Sequence, residues 1–449
     1  MRTFVNRLNS FQIIVTLYFI LAVISSIILW LPYFHKDGVE LSFIDAVFTA
    51  VSAISVTGLS VINVSEVFNP LGVFALIVML QIGGIGIMTL GTFLWIFMGK
   101  KIGLKERQWI AIDQNRFTLS GLVQLMKNIV FLSLIIELIG TLLLGFYFIM
   151  GDYFGTWYEA LYYAFFTAIS AYTNAGFDLF GNSLYRFSQD YYVQIVNIIL
   201  LILGAIGFPV LIETIQFLKN KRLKKRYQFS LYTKITTPTF FALIIVGALL
   251  FYLFERNNFL ADKTWLEAFF YSLFNSVTTR SGGLATMDVS QLTEPNQLFL
   301  SLLMFIGSSP SSTGGGIRTT TLVVVFLVVF TFIRGGNEVR VFRRTLHPED
   351  ITRSVVVIFV AVLIVFISVI TLKLFEPFSL TAIVFETCSA FGTTGLSMGI
   401  TASLSIVGKI ILILLMFIGR IGIINLLLFM SIKKPKSNYH YSKERIMIG

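Results

Sequence analysis

Four stretches decide the fold: FIDAVFTAVSAISVTGLS (43–60), YEALYYAFFTAISAYTNAGFD (158–178), WLEAFFYSLFNSVTTRSGGL (265–284) and LTAIVFETCSAFGTTGLS (380–397). Aligned on Gly58, Gly176, Gly282 and Gly395, each carries a serine six residues earlier, at Ser52, Ser170, Ser276 and Ser389. The glycines lie 118, 106 and 113 residues apart, and a second glycine follows each at Gly83, Gly204, Gly307 and Gly419. One Ser-x5-Gly is a chance match; four at near-equal period are an internal repeat. Each stretch begins apolar, is too short to cross a bilayer, and ends in small and hydroxyl residues.

Around them lie long apolar runs at 11–33, 71–98, 128–150, 192–218, 238–254, 295–333, 354–375 and 404–432. A bilayer core of about 30 Å takes about 20 apolar residues of helix, so these are eight candidate spans. The first follows Arg2 and Arg7 as a secretory signal would. Its 23 residues exceed an apolar signal core and no small-x-small site follows, so it reads as a retained helix. The fold expected is all-α and integral to the membrane: four tandem repeats of helix, re-entrant pore loop and helix (M1-pore-M2) around a pseudo-fourfold central pore. Their bounds are 1–100, 118–219, 234–334 with an insert at 308–317, and 352–432, followed by a tail at 433–449. Two spans per repeat give every repeat the same orientation, which places the repeat axis along the membrane normal.

Composition agrees. Of 449 residues, 56% are hydrophobic and 13% charged, about half the roughly 25% of soluble domains. Mean hydropathy is +0.84. A nucleic-acid binder can be as basic as this net charge of +11, but not as apolar. One cysteine excludes a disulfide framework, and His35, His347 and His440 have no metal-ligand spacing. Of the 34 Lys and Arg residues, 25 fall before the first span or after the second, fourth, sixth and eighth. The positive-inside rule then makes those segments, and both termini, cytoplasmic.

Non-helical backbone at membrane depth survives only where it is buried in protein or lines a cavity. Four loops would line one: Ser55-Val56-Thr57-Gly58, Thr173-Asn174-Ala175-Gly176, Thr279-Arg280-Ser281-Gly282 and Gly392-Thr393-Thr394-Gly395. Their carbonyls can replace the hydration shell of a monovalent cation, and glycine lets the backbone turn them inward. Close helix packing is the plainer use of such glycines, but four in register favour a filter. No ring of carboxylates stands at these positions. Arg280 would repel cations there, so it is expected to point outward to a carboxylate.

The third closing run is 39 residues long, which as one helix would measure about 58 Å. It must break at Ser308-Ser309-Pro310-Ser311-Ser312-Thr313-Gly314-Gly315-Gly316, where a polar loop near mid-membrane would obstruct the pore as a gate. The other three closing runs, at 27 to 29 residues, read as unbroken. Arg420 interrupts the last helix at similar depth and is expected to bond the gate loop. Glu137 and Glu213 also lie in apolar runs, and Cys388 reads as a small packing residue.

These repeats, glycines and the Gly-rich insert resemble the Trk/Ktr/HKT superfamily of potassium transporters over nearly the whole chain, most like its bacterial KtrB-type membrane subunits. The resemblance implies one filter glycine per repeat and potassium in the filter. Glycine at Gly58, where serine accompanies sodium transport in the plant branch, implies potassium again. It implies a gate at 308–316 with Arg420, and a homodimer in a bacterial plasma membrane. A cytosolic RCK ring of KtrA type would carry the adenine nucleotide, since this chain has no GxGxxG segment and holds no cofactor of its own. Sodium as an activator is left open. The basic loops at 219–234 and 334–353 are where that ring would touch. The double glycine Gly282-Gly283 leaves the third register open by one residue. The rival reading is a cation-coupled solute symporter (symport through an acidic relay), for which only Glu137 is available. No nucleophile–base pair or HExxH supports an enzyme.

Overall fold

The computed structural model describes residues 10–98, 102–113 and 121–430, with single positions 442, 444 and 447. The tail expected at 433–449 thus lies almost wholly outside the described residues. Along the chain the order long helix, short helix, broken helix occurs four times. The long helices are Ser10–Trp30, Leu122–Met150, Leu231–Glu255 and Pro348–Phe375. They are apolar all round, with large side chains such as Phe131, Phe146 and Phe359 exposed, as in helices that face lipid. Four helices are long and apolar enough to cross a membrane, and bent pairs raise the number to seven.

The short helices are Phe43–Ser55, Trp157–Thr173, Trp265–Thr278 and Leu380–Gly392. Each begins at a hydroxyl cap. Ser42, Thr156, Thr264 and Ser379 accept the backbone N–H of Asp45, Glu159, Glu267 and Ala382. At Thr264 the Glu267 carboxylate returns the bond, which completes a capping box. Their last turns are buried almost completely.

The closing helices correct the expectation of unbroken spans. Pro70–Ile85 meets Ile87–Phe97 at 102°, Tyr191–Ala205 meets Phe208–Arg222 at 102°, and Ile406–Ile421 meets Ile423–Met430 at 94°. The pivots are Gly86, Gly207 and Gly422, at φ of +98°, +102° and +86°. A side chain there would strain the backbone, and glycine does not. In the third closing run Glu294–Phe305 and Thr319–Ile333 are separated by a loop rather than a single pivot.

First and last quarters meet. The Lys409 ammonium bonds the Asp45 carboxylate at 2.7 Å, both side chains being mostly buried, and the Gln12 amide reaches the Phe429 carbonyl. Asp45→Asn is expected to lower the stability of the solubilised protein by about 2 kcal/mol by leaving the mostly buried Lys409 ammonium without its counter-charge. Adding Lys409→Met should restore most of it, as read from thermal melting.

Candidate functional site

Each short helix ends by turning its chain into the left-handed region. Val56, Asn174 and Thr393 cap three of them at φ of +57°, +57° and +49°, and Ser281 follows the third at +73°. For the β-branched Val56 and Thr393 this conformation is strained, by about 1–3 kcal/mol each, a condition that clusters at functional sites. Two residues on, the backbone turns positive again at Gly58, Gly176, Gly283 and Gly395.

Those four glycines form a ring. A Cβ on Gly58 would overlap the Ala175 carbonyl and stand 2.9 Å from the Gly176 Cα. One on Gly176 would stand 2.9 Å from the Gly283 Cα. One on Gly283 would overlap the Thr394 carbonyl, and one on Gly395 would overlap the Thr57 carbonyl and lie 3.0 Å from the Gly58 Cα. The third member is therefore Gly283 and not Gly282. A Cβ on Gly282 would instead meet Leu201 and the Thr278 backbone, and Gly282 takes the place held elsewhere by Thr57, Ala175 and Thr394.

The hydroxyl that holds the turn changes in the third quarter too, by two residues. Ser52 and Ser389 Oγ accept the N–H of Gly58 and Gly395 at 3.1 and 3.0 Å. Ser170 Oγ donates to Phe177 O, the residue after its glycine. In the third quarter Thr278 Oγ1 does that work, donating to Leu284 O at 2.6 Å, while Ser276 bonds Ile244 O. Ser55 and Thr57 share a hydroxyl bond of 2.6 Å, and the Thr173 and Thr279 hydroxyls return to the backbones of their own helices. The Oγ1 atoms of Thr393 and Thr394 are buried without a partner.

Arg280 is corrected as well. It is fully buried and makes no ion pair among the described residues. Its guanidinium donates to the carbonyls of Gly307 and, at 3.4 Å, Leu303, at the broken end of Glu294–Phe305. The unsatisfied carbonyls of a helix end carry partial negative charge and substitute for a carboxylate.

The closing helices break where they touch the short ones. Cβ atoms on Gly83, Gly204 and Gly419 would overlap the carbonyls of Ile54, Tyr172 and Phe391, each four residues before its ring glycine. In the third quarter Gly307 meets Gly315 of the loop instead. The loop folds on itself: Ser308 N bonds Gly315 O, Thr319 N bonds Ser308 O, and the Ser308 and Ser312 hydroxyls lie 2.7 Å apart. Arg318 clasps it, donating to Ser308 Oγ, Ser309 O and Gly314 O at 3.1, 3.2 and 2.6 Å.

Thr313, Gly314 and Gly315 then lie against the left-handed residues of three quarters. With its amide oxygen toward the loop, Asn174 accepts from Thr313 Oγ1 at 2.6 Å. A Cβ on Gly314 would stand 2.6 Å from Ser281, and one on Gly315 2.5 Å from Thr393 Oγ1. Arg420 spans to the first quarter, joining the Thr313 and Gly314 carbonyls to those of Gly83 and Gly84. The far side is held by Ser309 N to Ala205 O, Phe208 N to Ser311 O, and Tyr232 Oη to Pro310 O at 2.6 Å. Gly316 N bonds Gly419 O.

Glu137 lies apart from the ring, 2.5 Å from the Gln81 amide, and Glu213 accepts from Ser230 N. Cys388 is buried in its short helix. Among the described residues no three His, Cys, Asp or Glu side chains come together as a metal site. Two features escaped sequence reasoning. The pivots recur as G-x-I-G, in GGIG (83–86), GAIG (204–207) and GRIG (419–422), and Arg318 is a basic residue inside the third closing run, as Arg420 is inside the fourth.

A helical ring of four re-entrant backbones with a loop packed across it defines a membrane pore-type transport protein. The chain belongs to the TrkH family of cation transport proteins, whose model matches residues 2–442. It is 51% identical over 445 residues to the Ktr system potassium uptake protein D of Bacillus subtilis strain 168, covering 99% of this chain and 98% of that one. It is 36% identical to the Ktr system potassium uptake protein B of the same organism, covering 98% and 96%. The crystal structure of the potassium transporter TrkH from Vibrio parahaemolyticus superposes with a TM-score of 0.74 at 18% identity, covering 94% of this chain and 85% of that one, a likeness of fold. The relatives are transport proteins, not enzymes.

Proposed function

We propose that this chain is the potassium-translocating subunit of a Ktr-type uptake system. The observation that carries the reading is the ring of Gly58, Gly176, Gly283 and Gly395, four positive-φ glycines edged by the carbonyls of Thr57, Ala175, Gly282 and Thr394. A carbonyl cage without carboxylates suits a large monovalent cation. The unpartnered Thr393 and Thr394 hydroxyls are further oxygens such an ion can use. The loop Ser308–Gly316, with Arg318 and Arg420, acts as the gate. Its position against the left-handed residues of three quarters, bridged by Arg420 to the first, supports that role.

Potassium rests also on the printed names of the relatives. The "Ktr system" of those names points to a partner. We take it to be a cytosolic nucleotide-binding ring of RCK type docked on the basic loops at 219–234 and 334–353, with two membrane subunits per complex. Both termini are cytoplasmic by the distribution of Lys and Arg. Purified protein in proteoliposomes is expected to take up tracer rubidium down its gradient, outcompeted by potassium and not by a sodium or proton gradient. Absence of rubidium uptake by a folded preparation rejects the function.

A further inference from the structure

Glu386 sits in the fourth short helix, nine residues before the ring glycine Gly395. The corresponding positions of the other quarters hold Thr49, Thr167 and Phe274. Its side chain is 1% exposed and forms no ion pair among the described residues. Its partners all lie in the chain just past the ring. Glu386 Oε1 accepts the Ser397 hydroxyl and the Met398 N–H (3.1 Å), and Oε2 accepts the Thr401 hydroxyl at 3.0 Å. The Ser397 and Thr401 hydroxyl oxygens lie 2.9 Å apart, and Gly399 N donates to Ser397 Oγ. Residues 397–401 are thus a turn wrapped on one carboxylate.

The other quarters secure the same stretch differently. Past Gly58, Ser60 bonds Ile62 locally. Past Gly176, Asp178 accepts from Phe180 N and Gly181 N. Past Gly283, Ala285 N donates to Ser183 Oγ and its carbonyl accepts from Leu184 N, so the second and third quarters brace each other. In the second and third quarters a short-helix hydroxyl, Ser170 or Thr278, reaches the carbonyl of the first residue past the glycine; in the fourth a carboxylate of the short helix holds Ser397, Met398 and Thr401, further along the chain.

We propose that Glu386 is a positioning residue for ion selection. It ties the strand leaving Gly395 to the helix that enters it, and so sets how far the Thr394 carbonyl stands from the ion path. The inference rests on the proposed ring filter. Burial hides this role from sequence: a lone acid in an apolar short helix reads as a capped or snorkelling charge. Removing this carboxylate takes the acceptor from the Met398 N–H and frees the Ser397 and Thr401 hydroxyls to turn to each other, so its loss is felt by the segment leaving Gly395.

The test is the rubidium-over-sodium uptake ratio in proteoliposomes, beside the melting temperature of each variant. Glu386→Ala is expected to lower the ratio about tenfold while rubidium still passes. Glu386→Gln, whose amide oxygen can still accept from Met398, should fall less. Thr401→Val, nearly isosteric, removes one donor and should shift the ratio in the same direction. Combined with Glu386→Gln its effect should be less than the product of the two, because both act through one bond network. If Glu386→Ala does not fold, the Gln and Val variants decide. Folded variants with lower melting temperature but an unchanged ratio overturn the proposal and leave Glu386 a structural anchor. A wild-type protein that carries no rubidium would instead overturn the transport function itself.

Discussion

Gly283→Ala is expected to lose at least about tenfold in rubidium-over-sodium preference, and Gly282→Ala is not. Gly283 sits at φ +74°, where an L side chain costs about 1–2 kcal/mol on backbone grounds alone. Its Cβ would also overlap the Thr394 carbonyl and stand 2.9 Å from the Gly176 Cα, both on the ring. Each 1.4 kcal/mol is about tenfold, so displacement of one ring carbonyl suffices to change which ion is preferred. Gly282 lacks a positive φ, and its Cβ would press on Leu201 and on the Thr278 backbone behind the ring. That substitution should cost melting temperature before it costs discrimination. Gly58→Ser belongs with Gly283→Ala, because its Cβ would overlap the Ala175 carbonyl. Uptake of each ion, with melting curves for each variant, is the measurement; equal effects on the ratio from Gly282→Ala and Gly283→Ala would return the register to Gly282.

Deleting Ser308–Gly316 is expected to raise rubidium flux by orders of magnitude in vesicles without a cytosolic partner. The loop is held from outside by Asn174, Tyr232, Arg420, Phe208 N and the carbonyls of Ala205 and Gly419. Hydrogen bonds contribute roughly 1 kcal/mol each, so breaking these six costs about 6 kcal/mol and leaves on the order of one protein in ten thousand open. Removing the loop removes that cost. Tyr232→Phe removes the bond to Pro310 O and should raise flux about fivefold without altering ion preference. Flux that stays level or falls in a folded deletion variant would show that the loop is no barrier.

The ring was legible because its parts are local: a hydroxyl cap, an apolar helix, a glycine, at a repeating distance. The third quarter escaped by one residue because its alignment serine, Ser276, bonds another helix, and Thr278 does the work in its place. Arg280 was matched to a carboxylate because a charge in apolar sequence calls for its opposite. The partner proved to be a helix end created by the break at Ile306, which no sequence distance reveals. The breaks at Gly86, Gly207 and Gly422 were missed for a related reason. Apolar residues continue on both sides, so hydropathy sees one span where backbone torsion makes two. The loop at Ser308–Gly316 was legible from length and composition, but its clasp by Arg318 depends on how the loop folds back.

The arrangement is fourfold at the ring and single at the loop. An iris opens by withdrawing all its leaves together; the proposed barrier is one bolt thrown across a fixed frame, with Asn174, Ser281, Thr393 and Arg420 as its keepers. Its motion has a single coordinate. A weakened keeper in any quarter tilts the same balance, so losses from different quarters should add in free energy and multiply in leak. A damaged frame glycine changes what passes and leaves the bolt where it was.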